Sequence, residues 1–197
     1  APAPAVGRIY DGFLDYGFSH SAGLGEDEGW PPAVIAVDGV PEPAVSLHAA
    51  LGTAQVAVAL STVTDSGVAE GQIGIGQSLA AFGVRAGIGN SSRVVDAGTV
   101  GVLVAANGGE PRRLSVNGIP VGRWLAGLTP LPPTRRRAFA AVIVTDAPLL
   151  PGQLDRLAQR SFFGLVRVGL VDELTTSGTI IAVSTTGLND GLEGLAP

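Results

Sequence analysis

Residues able to do chemistry are few in this chain, and their types exclude more than they permit. Cysteine is absent. Disulfides, thiolate metal sites and thiol nucleophiles are therefore excluded, and the redox compartment stays open. Two histidines, His20 and His48, cannot build a His-rich metal centre by themselves. Glu26, Asp27 and Glu28 are consecutive, a poor geometry for one cation, and read as a solvated loop before Trp30. Arg135, Arg136 and Arg137 suit an anion or a substrate carboxylate, but a short charge run in a Pro-rich loop reads first as solvated. Gly74, Gly76, Gly83, Gly87 and Gly89 hint at a dinucleotide loop. They do not follow a clear strand and open a helix, so nucleotide binding is not expected. No Gly-x-Ser-x-Gly elbow is present, which argues against an α/β-hydrolase. No metal or organic cofactor is called for.

The elements that would position such residues are legible in outline. Residues 1–32 read as turn-rich, with residues 1–5 a flexible arm. Ala33–Val37 predicts a short strand, Pro43 opens a helix over 43–51, and the β-branched run from Gln55 to Thr64 predicts a strand. Six glycines fall within residues 70–93. Each interior glycine costs a helix about 1 kcal/mol relative to alanine, so this stretch is not one regular helix. Val100–Val104 and Phe139–Val144 are continuous apolar runs and predict strands buried on both faces. Leu114–Val121 predicts a hairpin with a type I′ turn at Asn117-Gly118. Gly127 to Arg137 is a Pro-punctuated loop. An amphipathic helix follows Pro151, with Leu154, Leu157, Ala158, Phe162 and Leu165 on one face and Asp155, Arg156, Gln159 and Arg160 facing water. Thr179–Ser184 predicts the last strand, and residues 188–197 a loose tail. Several strands with one strong helix predict an α/β sandwich of a single domain over 1–197, without internal repeats.

Bulk composition agrees with a packed domain. Of 197 residues, 46% are apolar and 15% charged, which favours a buried core over disorder. The net charge of −5 offers no footprint for nucleic acid or an anionic membrane. All basic residues are arginine, which reads as a genomic bias. No apolar stretch approaches the ~20 residues of a membrane helix. The start Ala1-Pro2-Ala3-Pro4-Ala5 lacks the basic and apolar regions of a signal peptide, so a cytoplasmic location is expected.

Four blocks carry a resemblance. They are Ala69–Gly76 (AEGQIGIG), Arg85–Arg93 (RAGIGNSSR), Thr99–Asn107 (TVGVLVAAN) and Val144–Pro151 (VTDAPLLP). In that order they resemble the DmpA-type L-aminopeptidase/D-esterase family, which includes the β-peptidyl aminopeptidases. The resemblance covers about residues 6–16 and 68–186. It implies an α-β-β-α layered sandwich akin to the N-terminal-nucleophile hydrolases, with the N-terminal half of the family fold missing here.

The resemblance also implies a chemistry. The family precursor cuts itself before a Ser or Thr at the head of a buried strand, and the freed residue becomes the nucleophile. Its own α-amine, with a pKa near neutrality, can serve as base. The cut falls eight residues before the Asp of the Thr-Asp-Ala-Pro block, and counting back from Asp146 reaches Ala138. Alanine has no nucleophilic atom. Thr134 is the alternative after a register change, but it follows Pro133, which restricts the distortion an N-to-O acyl shift needs. Asn107 matches the family's oxyanion-donating Asn, a role suited to a side-chain amide, and reads otherwise as a turn residue. Tyr10 matches a Tyr near the family's active site, and reads otherwise as a half-buried Tyr bonded to backbone. Ser177-Gly178 matches a Ser-Gly pair that the family follows with Asp or Glu, where this chain has Thr179. The expectation is a degenerate, non-catalytic homologue that retains a cleft for a peptide or small amide and serves as a binding or assembly subunit. The alternatives are an amide hydrolase that self-cleaves near 134–138 or works with a partner chain, and a purely structural subunit. Strands left uncovered would expose apolar edges, so a homo-oligomer or a heteromeric partner is expected. Neither nucleic acid nor membrane is expected as a partner.

Overall fold

The computed structural model describes residues 3–20, 33–37, 50–125, 127–128, 137–170 and 176–186. The chain divides into two compact units, Ala1–Val68 and Ala69–Pro197.

The first unit is helical where it is described. Helix α1, Val6–His20, places Val6, Ile9, Tyr10, Phe13 and Leu14 at the i, i+3, i+4 spacing of one face. The turn-rich reading of this stretch is corrected. Its glycines do not break the helix, because Gly12 and Gly17 are buried and Gly12 sits at a close contact. A Cβ added there would lie 2.9 Å from Val56 Cβ, on helix α2, Thr53–Ser61. Residues Ala3–Ala5 are likewise a turn of 3-10 helix leading into α1, and not an arm; Ala5 is fully buried. Helix α2 replaces the strand expected over 55–64. Its alanines favour a helix, and the Gly52 N–H donates to Gln55 Oε1 at 2.9 Å, which satisfies one of the unpaired groups at the helix start. Ala33–Val37 forms no strand, although Val37 is buried. The acidic run, Trp30, His48 and residues 43–49 of the expected helix lie outside the described residues.

The second unit is built on one sheet. After a 3-10 turn at Gly74–Ser78, strands β1 (Ala80–Ala81) and β2 (Val84–Arg85) pair through a tight turn at Phe82-Gly83, both with positive φ. Strands β3 (Ile88–Val95), β4 (Gly98–Asn107), β5 (Arg137–Thr145) and β6 (Thr176–Ser184) then form a sheet in that order. The first two pairings are antiparallel and β5 with β6 is parallel. The five-residue helix α3, Val121–Leu125, lies between β4 and β5, and helix α4, Pro151–Arg167, supplies the crossover that the parallel β5–β6 pair needs. Asn117 and Gly118 both have positive φ and Val116 bridges Ile119, so the expected type I′ turn is present, but without flanking strands. Of the expected loop from Gly127, residues 129–136 lie outside the described residues, as does the tail 188–197.

The two central strands are not buried on both faces, contrary to expectation. In β5, Phe139, Ala141, Ile143 and Thr145 are buried, while Ala138, Ala140 and Val142 are half-buried and Val144 is 38% exposed. Strand β4 is half-buried along its length until Asn107. The buried face receives α4, whose Phe162 ring lies 6.1 Å from that of Phe139. The predicted faces of α4 hold: Leu154, Leu157, Ala158 and Leu165 are half-buried, and Asp155, Arg156, Gln159 and Arg160 are exposed. Phe162 is only at the margin, 37% exposed. Gln153 Oε1 accepts from the Leu150 N–H at the start of α4. Gly169 closes it, with Gly169 N–H donating to Val166 O and Leu170 N–H to Leu165 O, the paired bonds of a Schellman ending. No described helix is long and apolar enough to cross a membrane.

Candidate active site

Three of the five candidate residues stand in one row. In the β4–β5 register Asn107 pairs with Ala138, and in the β5–β6 register Ala138 pairs with Ser177. Side chains at one rung project to the same face, and neighbouring strands lie about 4.8 Å apart. Asn107 and Ser177 therefore flank position 138 on the half-open face, with their backbones about 10 Å apart across the row. The next rung on that face is Ala105, Ala140 and Thr179. Thr179 is exposed and lies two residues along β6 from Ser177, on the same face.

Each member is held by its surroundings. Asn107 is buried at the end of β4, and its Oδ1 accepts from the Ala80 N–H at 3.1 Å. That bond gives the carboxamide one orientation and ties β1 to the sheet. Asn107 ends the strand before Gly108-Gly109, as the turn reading expects, and shares a rung with Ala138. Ala138 is half-buried, and its methyl occupies the centre of the row. Ser177 is exposed, and its successor Gly178 lies against the Phe139 ring. A Cβ at 178 would collide with three carbons of that ring, so glycine is required for Phe139 to remain between sheet and helix. Tyr10 belongs to the first unit, where it is half-buried on α1. Thr134 lies outside the described residues, as do Arg135 and Arg136.

The Thr-Asp-Ala-Pro block serves a different purpose from the row. It lies seven residues along β5 from Ala138, about 23 Å at strand rise. Thr145 is buried; its Oγ1 donates to Thr99 O at 2.8 Å and accepts from the Ala147 N–H at 3.1 Å. Asp146 Oδ1 accepts from the Thr99 N–H, and Ser184 Oγ donates to Ala147 O at 2.7 Å. The block therefore ties β4, β5 and β6 together where the chain leaves β5. Sequence reasoning used it as a ruler to position 138 and missed this structural role. The hydroxyl and carboxylate side by side at a strand end were the available signal.

Among the described residues, no group of three His, Asp or Glu gathers where a metal ion could be held. The row offers an amide, a hydroxyl and a methyl. Position 138 has no atom that could attack a carbonyl, and the Asn107 amide beside it is buried.

A mixed sheet with a crossover helix on one face and this row at one end places the chain in the Ntn-hydrolase fold class. The similarities of sequence and structure agree. The chain belongs to peptidase family S58, whose family model matches residues 3–191. It is 37% identical over 146 residues to beta-peptidyl aminopeptidase BapA of Sphingosinicella xenopeptidilytica, across 66% of this chain and 36% of that protein. The solved structure of a Burkholderia sp. beta-aminopeptidase superimposes with a TM-score of 0.79 at 34% identity, covering 94% of this chain and 52% of that one. The L-aminopeptidase D-Ala-esterase/amidase of Ochrobactrum anthropi, described as a variant of the Ntn-hydrolase fold, gives 0.77 at 28% identity, covering 94% and 52%. The chain thus spans about half the length of these solved relatives and little over a third of the curated one.

Proposed function

We propose that this chain is a non-catalytic member of a lineage of peptidase-type hydrolases, which keeps the amide-binding part of the site and acts as a binding or assembly subunit. The observation that carries the reading is the alanine between Asn107 and Ser177. The nucleophile of self-cleavage and of hydrolysis is one and the same hydroxyl in the family, so its replacement by a methyl removes both reactions together. Thr179 supports the reading, since the acid expected beside Ser177 is absent as well. What remains is the exposed Ser177 hydroxyl beside the half-buried Ala138 methyl, where a peptide or small amide would lie. The half-open face of the sheet supports association with a second chain.

The test is the intact denatured mass of freshly purified protein, followed by incubation with amino-acid amides. The expected result is a single species at 19.8 kDa and no amide turnover. Fragments divided between Thr134 and Phe139, or amide turnover lost on replacing Thr134, would overturn the proposal in favour of an active hydrolase.

A further inference from the structure

A second constellation lies beyond Asn107, where the chain leaves the sheet. Glu110, Arg112, Arg113 and Arg123, all with exposed side chains, line an open surface depression of about 480 Å3. In a chain with a net charge of −5, this depression carries three cations and one anion. The anion is already engaged: Glu110 Oε2 accepts from Arg113 Nε at 3.2 Å. Arg112 and Arg123 have no ion-pair partner among the described residues. Both belong to short elements locked to each other. Arg112 lies in the 3-10 turn Pro111–Arg113, and Arg123 in α3. Gly122 lets these elements meet, because a Cβ there would collide with Pro111 O and lie 2.8 Å from Leu114 N. Gly122 N–H also donates to Leu114 O at 2.9 Å, and Ser115 N–H to Val168 O at 3.1 Å.

Like charges gathered around one depression repel unless something between them carries the opposite sign. Guanidinium forks match carboxylate and phosphate oxygens in a planar, two-point geometry. We infer that the depression lined by Arg112, Arg113 and Arg123 is a binding site for a small organic anion bearing carboxylate or phosphate oxygens. Arg112 and Arg123 grip the ligand from two elements, while Glu110 holds Arg113 in place and limits the net charge the site accepts. The inference stands apart from the row at Ala138, and its test reads neither cleavage nor hydrolysis.

The test is calorimetric titration of the full chain at low salt with citrate and, separately, with inorganic phosphate. Saturable binding of citrate alone assigns carboxylate oxygens, of phosphate alone phosphoryl oxygens, and of both the shared chemistry. The double variant R112Q/R123Q is expected to weaken that binding by about tenfold or more, as loss of charge-assisted hydrogen bonds does. The double variant R156Q/R160Q on the exposed face of α4 changes the net charge equally and is expected to bind like the parent chain. Absence of saturable binding for both probes overturns the inference. So does equal weakening by the two double variants, which would reduce the effect to overall charge.

Discussion

Position 138 in this row carries a methyl where the family's chemistry needs a hydroxyl. Ala138 stands between Asn107 and Ser177, and a hydroxyl on its Cβ would lie on the same rung as both. The variant A138S is therefore expected to give two fragments cut after Arg137, detected by intact mass. Adding T179E, which restores a carboxylate beside Ser177, is expected to raise the fraction cut over A138S alone at equal time. Fragments from A138S and none from the parent chain would confirm that the hydroxyl is what the site lacks. Asn107 has a structural duty that can be measured separately. Truncation by N107A leaves the buried Ala80 N–H without its acceptor, and should lower stability by about 1–3 kcal/mol in urea unfolding. A loss near zero would show that this bond contributes nothing to the fold.

The elements meet through contacts that permit little substitution. Gly178 lies on β6 under the Phe139 ring, so G178A overpacks the space between sheet and α4 and should cost about 1–3 kcal/mol. Gly101 on β4 is the internal control, since a Cβ there meets only Val144 O at 3.8 Å. G101A should be neutral or stabilising by about 0.5–1 kcal/mol, as glycine in a strand interior is unfavourable. Denaturant midpoints of the two variants decide whether close packing or glycine content governs this sheet. At the opposite end of the strands, Thr145 joins β4 to the loop before α4. T145V keeps the shape but leaves the Ala147 N–H without its acceptor and removes one of the two donors to Thr99 O. It should cost about 1–3 kcal/mol without changing the rung pairing at Ala138.

Over the whole second unit, the sheet is covered on one face and half-open on the other. Val144 and Val183 are exposed on the half-open face, at 38% and 41%, and Val94 on the edge strand reaches 83%. Together with the row's own alanines they make an apolar surface on which a second sheet layer would fit. Light scattering of the full chain is expected to give a mass above 19.8 kDa. The double variant V144K/V183K should return it to that value by placing charge on the surface. A monodisperse 19.8 kDa parent chain would remove the association part of the proposed function.

The sequence by itself determined the four ordered blocks, the existence of strand β5, the polar and apolar faces of α4 and the turn at Asn117-Gly118, because each depends on residues close in the chain. It also led to position 138, by counting from Asp146 along one strand. Local pattern did not suffice where a contact overrides propensity. Residues 6–20 read as turn-rich although a helix forms there with Gly12 tight against Val56, and the β-branched run of 55–64 read as a strand although Val56 packs on α1 from a helix. Apolar runs in β4 and β5 could not reveal that one face stays half-open, because burial depends on the layers a strand finds and not on the strand. Only the tertiary structure aligned Asn107, Ala138 and Ser177, which are far apart in sequence and share a rung only because strand register is set by pairing between distant segments. The arginine depression was hidden for another reason: Arg112 and Arg123 are close in the chain but line one site only because Gly122 closes against Pro111.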